Sequence, residues 1–304
     1  MDPAIQKGEP GPGVIIVNKP GGWTSHDVVA KMRRIAHTRK IGHLGTLDPL
    51  ATGVLPLLLG RATRLAQFFT RNDKVYEGVI HFGHSTGSYD ADGAPTSAPV
   101  PVHLQPDELE RVLDRFRGTF LQTPPAVSAK KIDGRPAYEL ARQNIPVELA
   151  PVEVTVSALD VLEYLAGDVI RVRIHCSAGT YVRSIAHDAG QALGCGAFLE
   201  KLIRVASGDF SLERAHTLEE LAQLSAENRL QQALIPAAQL LPHFPSEIVD
   251  TITEGQIRQG RNFRISPFGM TADAMHVKAV SRQGHLVAIG SAVLPHVYHP
   301  VVVL

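Results

Sequence analysis

Three observations predict a mixed α/β (α+β) fold followed by a smaller β domain. In residues 169–176, Ile170, Val172, Ile174 and Cys176 alternate with Val169, Arg171, Arg173 and His175, the period-2 signature of a half-buried antiparallel strand. Val28, Met32 and Ile35 recur at helical spacing opposite Lys31, Arg33 and Arg34, which makes an amphipathic helix with a basic outer side. From about residue 244 onward, the runs HVKAVSR, HLVAIGSAV and HPVVVL alternate with Gly and Pro turns. The expected domains are 1–240 and 241–304, joined through the Pro-containing segment 236–245.

The elements follow in order. VIIVNKPGG, residues 14–22, reads as a short strand and a turn, and Thr24 or Ser25 then caps the basic helix with Asp27 in its first turn. IGHLGTLDPLATG breaks the pattern with its glycines and proline and demands a loop, and VLPLLLG returns as a buried apolar segment. A strand is expected over 74–82, then a long surface excursion over 83–101 and a helix near 107–117. Residues 121–143 read as a Pro-bounded loop and short hairpin leading into a helix, and another strand lies within 152–161. Gly179 and Thr180 open a helix over 181–193 that Gly194 closes. Thr217 caps a further helix through LEELAQLSAENRLQQAL.

Composition narrows the class. The chain has 304 residues, 44% of them apolar, with 30 basic and 30 acidic side chains, which is ordinary globular composition. VLPLLLG is too short for the ~18 residues of a membrane span and is interrupted by Pro56. The polar MDPAIQKGEPGPG start has no apolar core of a secretory signal. Cys176 and Cys195 are too few for a disulfide framework, so a cytoplasmic location is expected. The zero net charge hides a local asymmetry: residues 31–74 carry nine basic side chains against Asp48 and Asp73 alone. Such a surface suits phosphates as well as a solvated helix face.

Two residues depart from their local background. Asp48 is the only carboxylate from Lys31 to Asn72, in a Gly-rich loop between a basic helix and an apolar segment. Asp-Pro is a common turn element, but a lone anion among cations also has a site-like environment. Arg183 falls in the first turn of its helix, where the macrodipole disfavours a cation, and Asp188 is off the i+3/i+4 face. A distant carboxylate or a phosphate is the expected compensation.

Other signals are weaker. GHSTG, residues 83–87, matches a nucleophile elbow but runs into SYDADGAPTSAP instead of a helix. His81 and His84 are expected on opposite strand faces, without further ligands at metal spacing, so no metal site is expected. Asp90 or Asp92 paired with Asp48 leaves a glycosidase dyad open. Tyr76 reads as a core aromatic beside Ile80 and Phe82, and Lys19 as a turn cation.

Five blocks, VNKPGGWTSHDVV, GHLGTLDPLATGVLPLLLGRATR, KVYEGVIHFG, PPAVSAKKIDGRPAYELAR and CSAGTYVRSIAHDAGQALG, occur in this order within the first 194 residues. In these blocks the sequence resembles the TruB-type tRNA pseudouridine synthases. The resemblance implies isomerisation of uridine to pseudouridine at position 55 in the T-loop of tRNA, without cofactor or metal. It also implies a pseudouridine synthase fold, with a mixed, largely antiparallel sheet flanked by helices and a C-terminal PUA-like β domain.

By matched position, Asp48 would act at the ribose, either attacking the anomeric carbon or removing a sugar proton. Tyr76 would stack on the uracil, Arg183 would pair with Asp48, His43 would fill the space of the flipped nucleotide, and Leu202 would pack near the base. Lys19 and Gly42 fall in the same blocks and are carried over as substrate-binding. The partner implied is the tRNA T-arm, with a monomeric enzyme and no obligate protein partner. The pattern is departed from at three places: Val127 replaces a frequent Tyr, Ile203 a second Arg, and the tripeptide Thr86-Gly87-Ser88 a TDT. The alternatives are a guide-RNA-dependent dyskerin-like synthase, and an RNA-binding or RNA-folding module whose catalysis is incidental.

Overall fold

The computed structural model describes residues 10–126, 131–132, 135–136, 149–266 and 274–304, the four at 131–132 and 135–136 by backbone only. In chain order the elements begin with β1 (Gly13–Lys19), α1 (Ser25–Ile35), β2 (Ile41–His43), β3 (Thr52–Leu59) and β4 (Lys74–Phe82). Next come α2 (Pro106–Leu113), β5 (Gly118–Gln122), the hairpin β6 (Lys131–Ile132) and β7 (Arg135–Pro136), β8 (Val152–Ala166) and β9 (Val169–Cys176). The series ends with α3 (Val182–Ala192), β10 (Ala197–Ser207), β11 (Phe210–Ser211), α4 (Leu218–Ala226) and β12 (Ile235–Pro236). Val127 and the helix expected after the hairpin lie outside the described residues.

A sheet of order β12-β1-β3-β10-β4-β9-β8-β5 results, with β2 on β3 and β11 on β10. Its pairs are antiparallel except β3 with β10, so it is mixed and largely antiparallel, as expected. The parallel pair is close: a Cβ on Gly53, which has φ +96°, would lie 2.3 Å from the Arg204 carbonyl oxygen, so only glycine fits. α1 starts where Thr24 and Asp27 form a reciprocal capping box, and it buries Val28, Val29, Met32 and Ile35. Those side chains share one core with Leu47, Tyr76, Ile80, Ile185, Leu202 and the inward residues of β9.

The opposite face is covered by the chain's end. β13 (Ser246–Val249), α5 (Thr251–Arg258), β14 (Phe263–Arg264), β15 (His276–Ser281), β16 (Leu286–Leu294) and β17 (Val297–Val303) carry a second sheet of order β13-β15-β16-β17-β14. Leu286, Ile289, Val302 and Leu304 pack in one cluster with Val14, Ile16, Val54, Leu58 and Leu65.

Several expectations are corrected. The C-terminal β segment also carries a helix that was not expected, α5, which the Asp250 side chain caps by accepting from the Thr253 amide at 2.7 Å. Within the joining segment 236–245, Ala237, Leu240 and Leu241 are buried. The helix capped by Thr217 ends at Ala226, where Asn228 adopts φ +57° and a short 3-10 turn, Leu230–Gln232, replaces continued helix. β10, a central strand, was not expected at all. The 83–101 excursion is not wholly superficial, because Ser85, Thr86 and Asp90 are buried. His81 and His84 lie side by side, ring centroids 6.1 Å apart and both against Phe198, because Gly83 at φ +114° turns the chain back after β4.

Candidate active site

The loop between β2 and β3 is fixed from four directions. Ser25 at the start of α1 accepts from the Leu47 amide at 2.9 Å and donates to the Leu47 carbonyl at 3.2 Å. The Pro49 carbonyl accepts from the Gly22 amide at 2.9 Å, and the Ala51 amide closes a turn on the Asp48 carbonyl at 3.1 Å. Arg204, 1% exposed on β10, donates to the carbonyls of Val54, Gly45 and Thr46 at 2.7, 3.0 and 3.4 Å. Lys19 is wholly buried and donates through Nζ to the carbonyls of Trp23, Pro20 and Pro49 at 2.6, 2.8 and 3.2 Å. It is therefore a structural cross-brace and not a turn cation.

Asp48 is held at the tip of this loop with its side chain 36% exposed. The Arg183 Nε lies 3.0 Å from Asp48 Oδ2, and Arg183 Nη1 lies 3.7 Å from Asp90 Oδ2 while donating to the Ser88 carbonyl at 3.2 Å. The Nε–H is not aligned on the Asp48 oxygen as a hydrogen bond, so the contact is an ion pair by distance. Arg183 thus finds the distant carboxylates its place in the first turn of α3 demanded. The glycosidase dyad does not form as a free pair, since the same guanidinium lies against both Asp48 and Asp90.

The electrostatics pull in opposite directions. Enclosure pushes the Asp48 carboxyl above the ordinary Asp range, Arg183 and Lys19 pull it down, and Asp90 and Asp92 push it up. Burial lowers the Lys19 ammonium to about 8. Burial raises the Tyr76 phenol, and the neighbouring Arg204 guanidinium counters it.

Tyr76 faces the core from β4 opposite Ile174 of β9 and Arg204 of β10, with Leu202 and Leu47 in the same cluster. Leu202 is 8% exposed. His43 on β2 meets His26 of α1 edge to face at 5.6 Å, and burial lowers its imidazole. Gly42 pairs with Leu58 and has room for a side chain, so its backbone position does not require glycine. Ile203 is 40% exposed beside this region. Val127 falls outside the described residues. GHSTG forms no nucleophile elbow, and among the described residues no three His, Cys, Asp or Glu side chains group as metal ligands.

Sequence reasoning missed Arg204, the structural role of Lys19 and the part of Asp90 in holding Arg183.

Known proteins are similar to this chain in sequence and in fold. Residues 33–182 match the TruB family pseudouridylate synthase N-terminal domain, and residues 183–242 match the tRNA pseudouridylate synthase B C-terminal domain. The chain is 61% identical to tRNA pseudouridine synthase B of Solibacter usitatus over 292 residues, covering 96% of this chain and 99% of the relative. It is 42% identical to the same-named protein of Dechloromonas aromatica over 278 residues, covering 91% and 90%. Among solved structures it is similar to a Cbf5-Nop10-Gar1 complex chain, with TM-score 0.67 and 29% identity over 93% of this chain and 79% of that one. The two matched domains and the near full-length identity together place this chain in the TruB family of tRNA pseudouridine synthases.

Proposed function

We propose that this isomerase acts on uridine 55 in the T-loop of tRNA, with Asp48 as the reacting carboxylate. The observation that carries the reading is the partly exposed Asp48 carboxylate fixed against the buried Arg183, with Tyr76 and Leu202 lining the same core. Pseudouridine formation breaks the N1–C1′ bond, forms C5–C1′ on the same ring, moves a proton onto N1 and releases the C5 proton. The target base must first leave its stack, at a cost of a few kcal/mol. Asp48 then reaches the ribose, Tyr76 stacks on the uracil and assists loss of the C5 proton, and His43 fills the vacated space.

The surface supports an RNA partner. Lys31, Arg33, Arg34, Arg39, Lys40, Arg61, Arg64 and Arg71 are exposed, and among the described residues none has a carboxylate within salt-bridge distance. Their phosphate contacts position the RNA, and shape and splayed bases specify it. No helix among the described residues is long and apolar enough to cross a membrane. A monomeric, cytoplasmic enzyme with residues 1–240 as catalytic domain and 241–304 as a PUA-like domain completes the proposal. The 61% identity to a tRNA pseudouridine synthase B favours tRNA over a guide-RNA-dependent reaction.

The test is chemical mapping of pseudouridine in an unmodified tRNA transcript incubated with the purified chain alone. The expected product is a single modified position, uridine 55. Modification elsewhere, or only when a guide RNA is added, would replace this reading.

A further inference from the structure

Two aromatic rings join the two pieces of chain that hold Arg183. Arg183 is fixed to α3 on one side and, through Ser88 and Asp90, to the turn after β4 on the other. Tyr89 in that turn lies flat on His187 of α3, ring centroids 3.7 Å apart and planes 12° from parallel. His187 is four residues after Arg183, so both project from one side of the helix. Tyr89 sits between the two residues of the turn that meet Arg183, Ser88 and Asp90.

Tyr89 adopts φ +67°, a left-handed conformation that is unfavourable for a residue with a side chain. Its backbone is locked there: the Leu199 amide donates to the Tyr89 carbonyl at 3.0 Å, and the Ala91 amide donates to the Leu199 carbonyl at 3.0 Å. The turn is closed by Thr86 Oγ1 on the Asp90 carbonyl at 2.7 Å and by Ser88 Oγ on the Asp90 carboxylate. Glycine would meet this backbone demand without strain, so a tyrosine here is accounted for by its ring.

We propose that Tyr89 and His187 are positioning residues whose stack sets the turn carrying Asp90 against α3, and thereby sets the Arg183 guanidinium against Asp48. Neither ring needs to touch the substrate. The inference rests on the reading of Asp48 as the reacting carboxylate. The groups facing Asp48 are Arg183 from α3, Asp90 and Asp92 from the turn, and Lys19 from β1. Loosening the turn weakens the contribution of Arg183, the largest among these charges and opposite in sign to Asp90 and Asp92 of the turn, and so favours the protonated carboxyl.

The test compares Tyr89→Gly, Tyr89→Phe and His187→Ala, with kcat, KM for tRNA, the acidic limb of the pH profile and Tm as readouts. Tyr89→Gly removes the ring and relieves the backbone, two effects of opposite sign on stability, so Tm is expected to change little. kcat is expected to fall about tenfold in Tyr89→Gly and in His187→Ala with little change in KM, as for a misplaced reacting group. In both, the acidic limb is expected to move to higher pH, whereas Tyr89→Phe keeps the stack and the wild-type values. Wild-type kcat and an unmoved acidic limb in Tyr89→Gly would overturn the proposal, as would an equal loss in Tyr89→Phe. His187→Ala, in a helix that tolerates alanine, decides the same question should Tyr89→Gly fail to fold. An active Asp48→Asn enzyme would instead indicate failure of the parent reading.

Discussion

Arg183 Nε stands 3.0 Å from Asp48 Oδ2, with the cation 4% exposed and the anion 36% exposed. The buried partner is the positive one, so the carboxylate is presented outward on a guanidinium base. Replacing either partner has unequal consequences, because a buried cation or anion left alone costs several kcal/mol.

Arg183→Gln removes the cation that lies between Asp48 and Asp90 and leaves two neighbouring carboxylates to repel. We expect a loss of about 3 kcal/mol in stability and a larger fractional loss in kcat than in tRNA affinity. Arg183→Lys keeps the charge but lacks the planar fork, and should recover only part of the rate. Denaturant unfolding and single-turnover kinetics check both.

The rate should fall at acid pH with a midpoint above the ordinary Asp value of about 3.9, because enclosure raises the Asp48 carboxyl and the reaction needs it ionised. In Lys19→Met this midpoint should move still higher, since the Lys19 charge favours the ionised form. A kcat/KM profile of each enzyme decides the sign.

Lys19 also makes a stability prediction. Its ammonium is lowered to about 8 in the folded chain against an ordinary 10.5, so between those values the unfolded chain binds more protons. Stability from this group therefore rises with pH across that window, by up to about 3 kcal/mol. Unfolding free energies at pH 8 and pH 10 should show the rise in the wild type and a smaller one in Lys19→Met.

Much of the site was legible because it left a residue-type signal. Asp48 stood alone among cations, Arg183 stood at the wrong end of a helix, and β4 and β9 kept clean alternation. β10 did not: bulges between Leu199 and Lys201 and between Arg204 and Ala206 break its period, which hid a central strand. The roles of Lys19 and Arg204 were invisible for another reason. Their acceptors are backbone carbonyls, which every residue has, so no spacing of side chains records them. α5 escaped notice because Thr251, Ile252, Thr253 and Gly255 weaken its helical signal, and its cap at Asp250 and its packing decide it instead.

The exposed cations predict salt-sensitive binding. Lys31→Gln with Arg34→Gln should weaken tRNA binding and lower the slope of log Kd against log salt by about one for each phosphate no longer neutralised. Saturating turnover should be unchanged, because neither side chain lies at the Asp48 loop. Filter binding across a salt series measures the first and saturating kinetics the second.

In the proposed reaction Asp48 carries the isomerisation. An unmodified tRNA transcript tritiated at uridine C5 should release tritium to solvent on incubation with the wild-type chain, without strand cleavage or free uracil. Asp48→Asn should bind the same transcript and release tritium at least about a thousandfold more slowly. Release at the wild-type rate from Asp48→Asn would rule out Asp48 as the reacting carboxylate, and release of free base by the wild type would rule out an isomerisation.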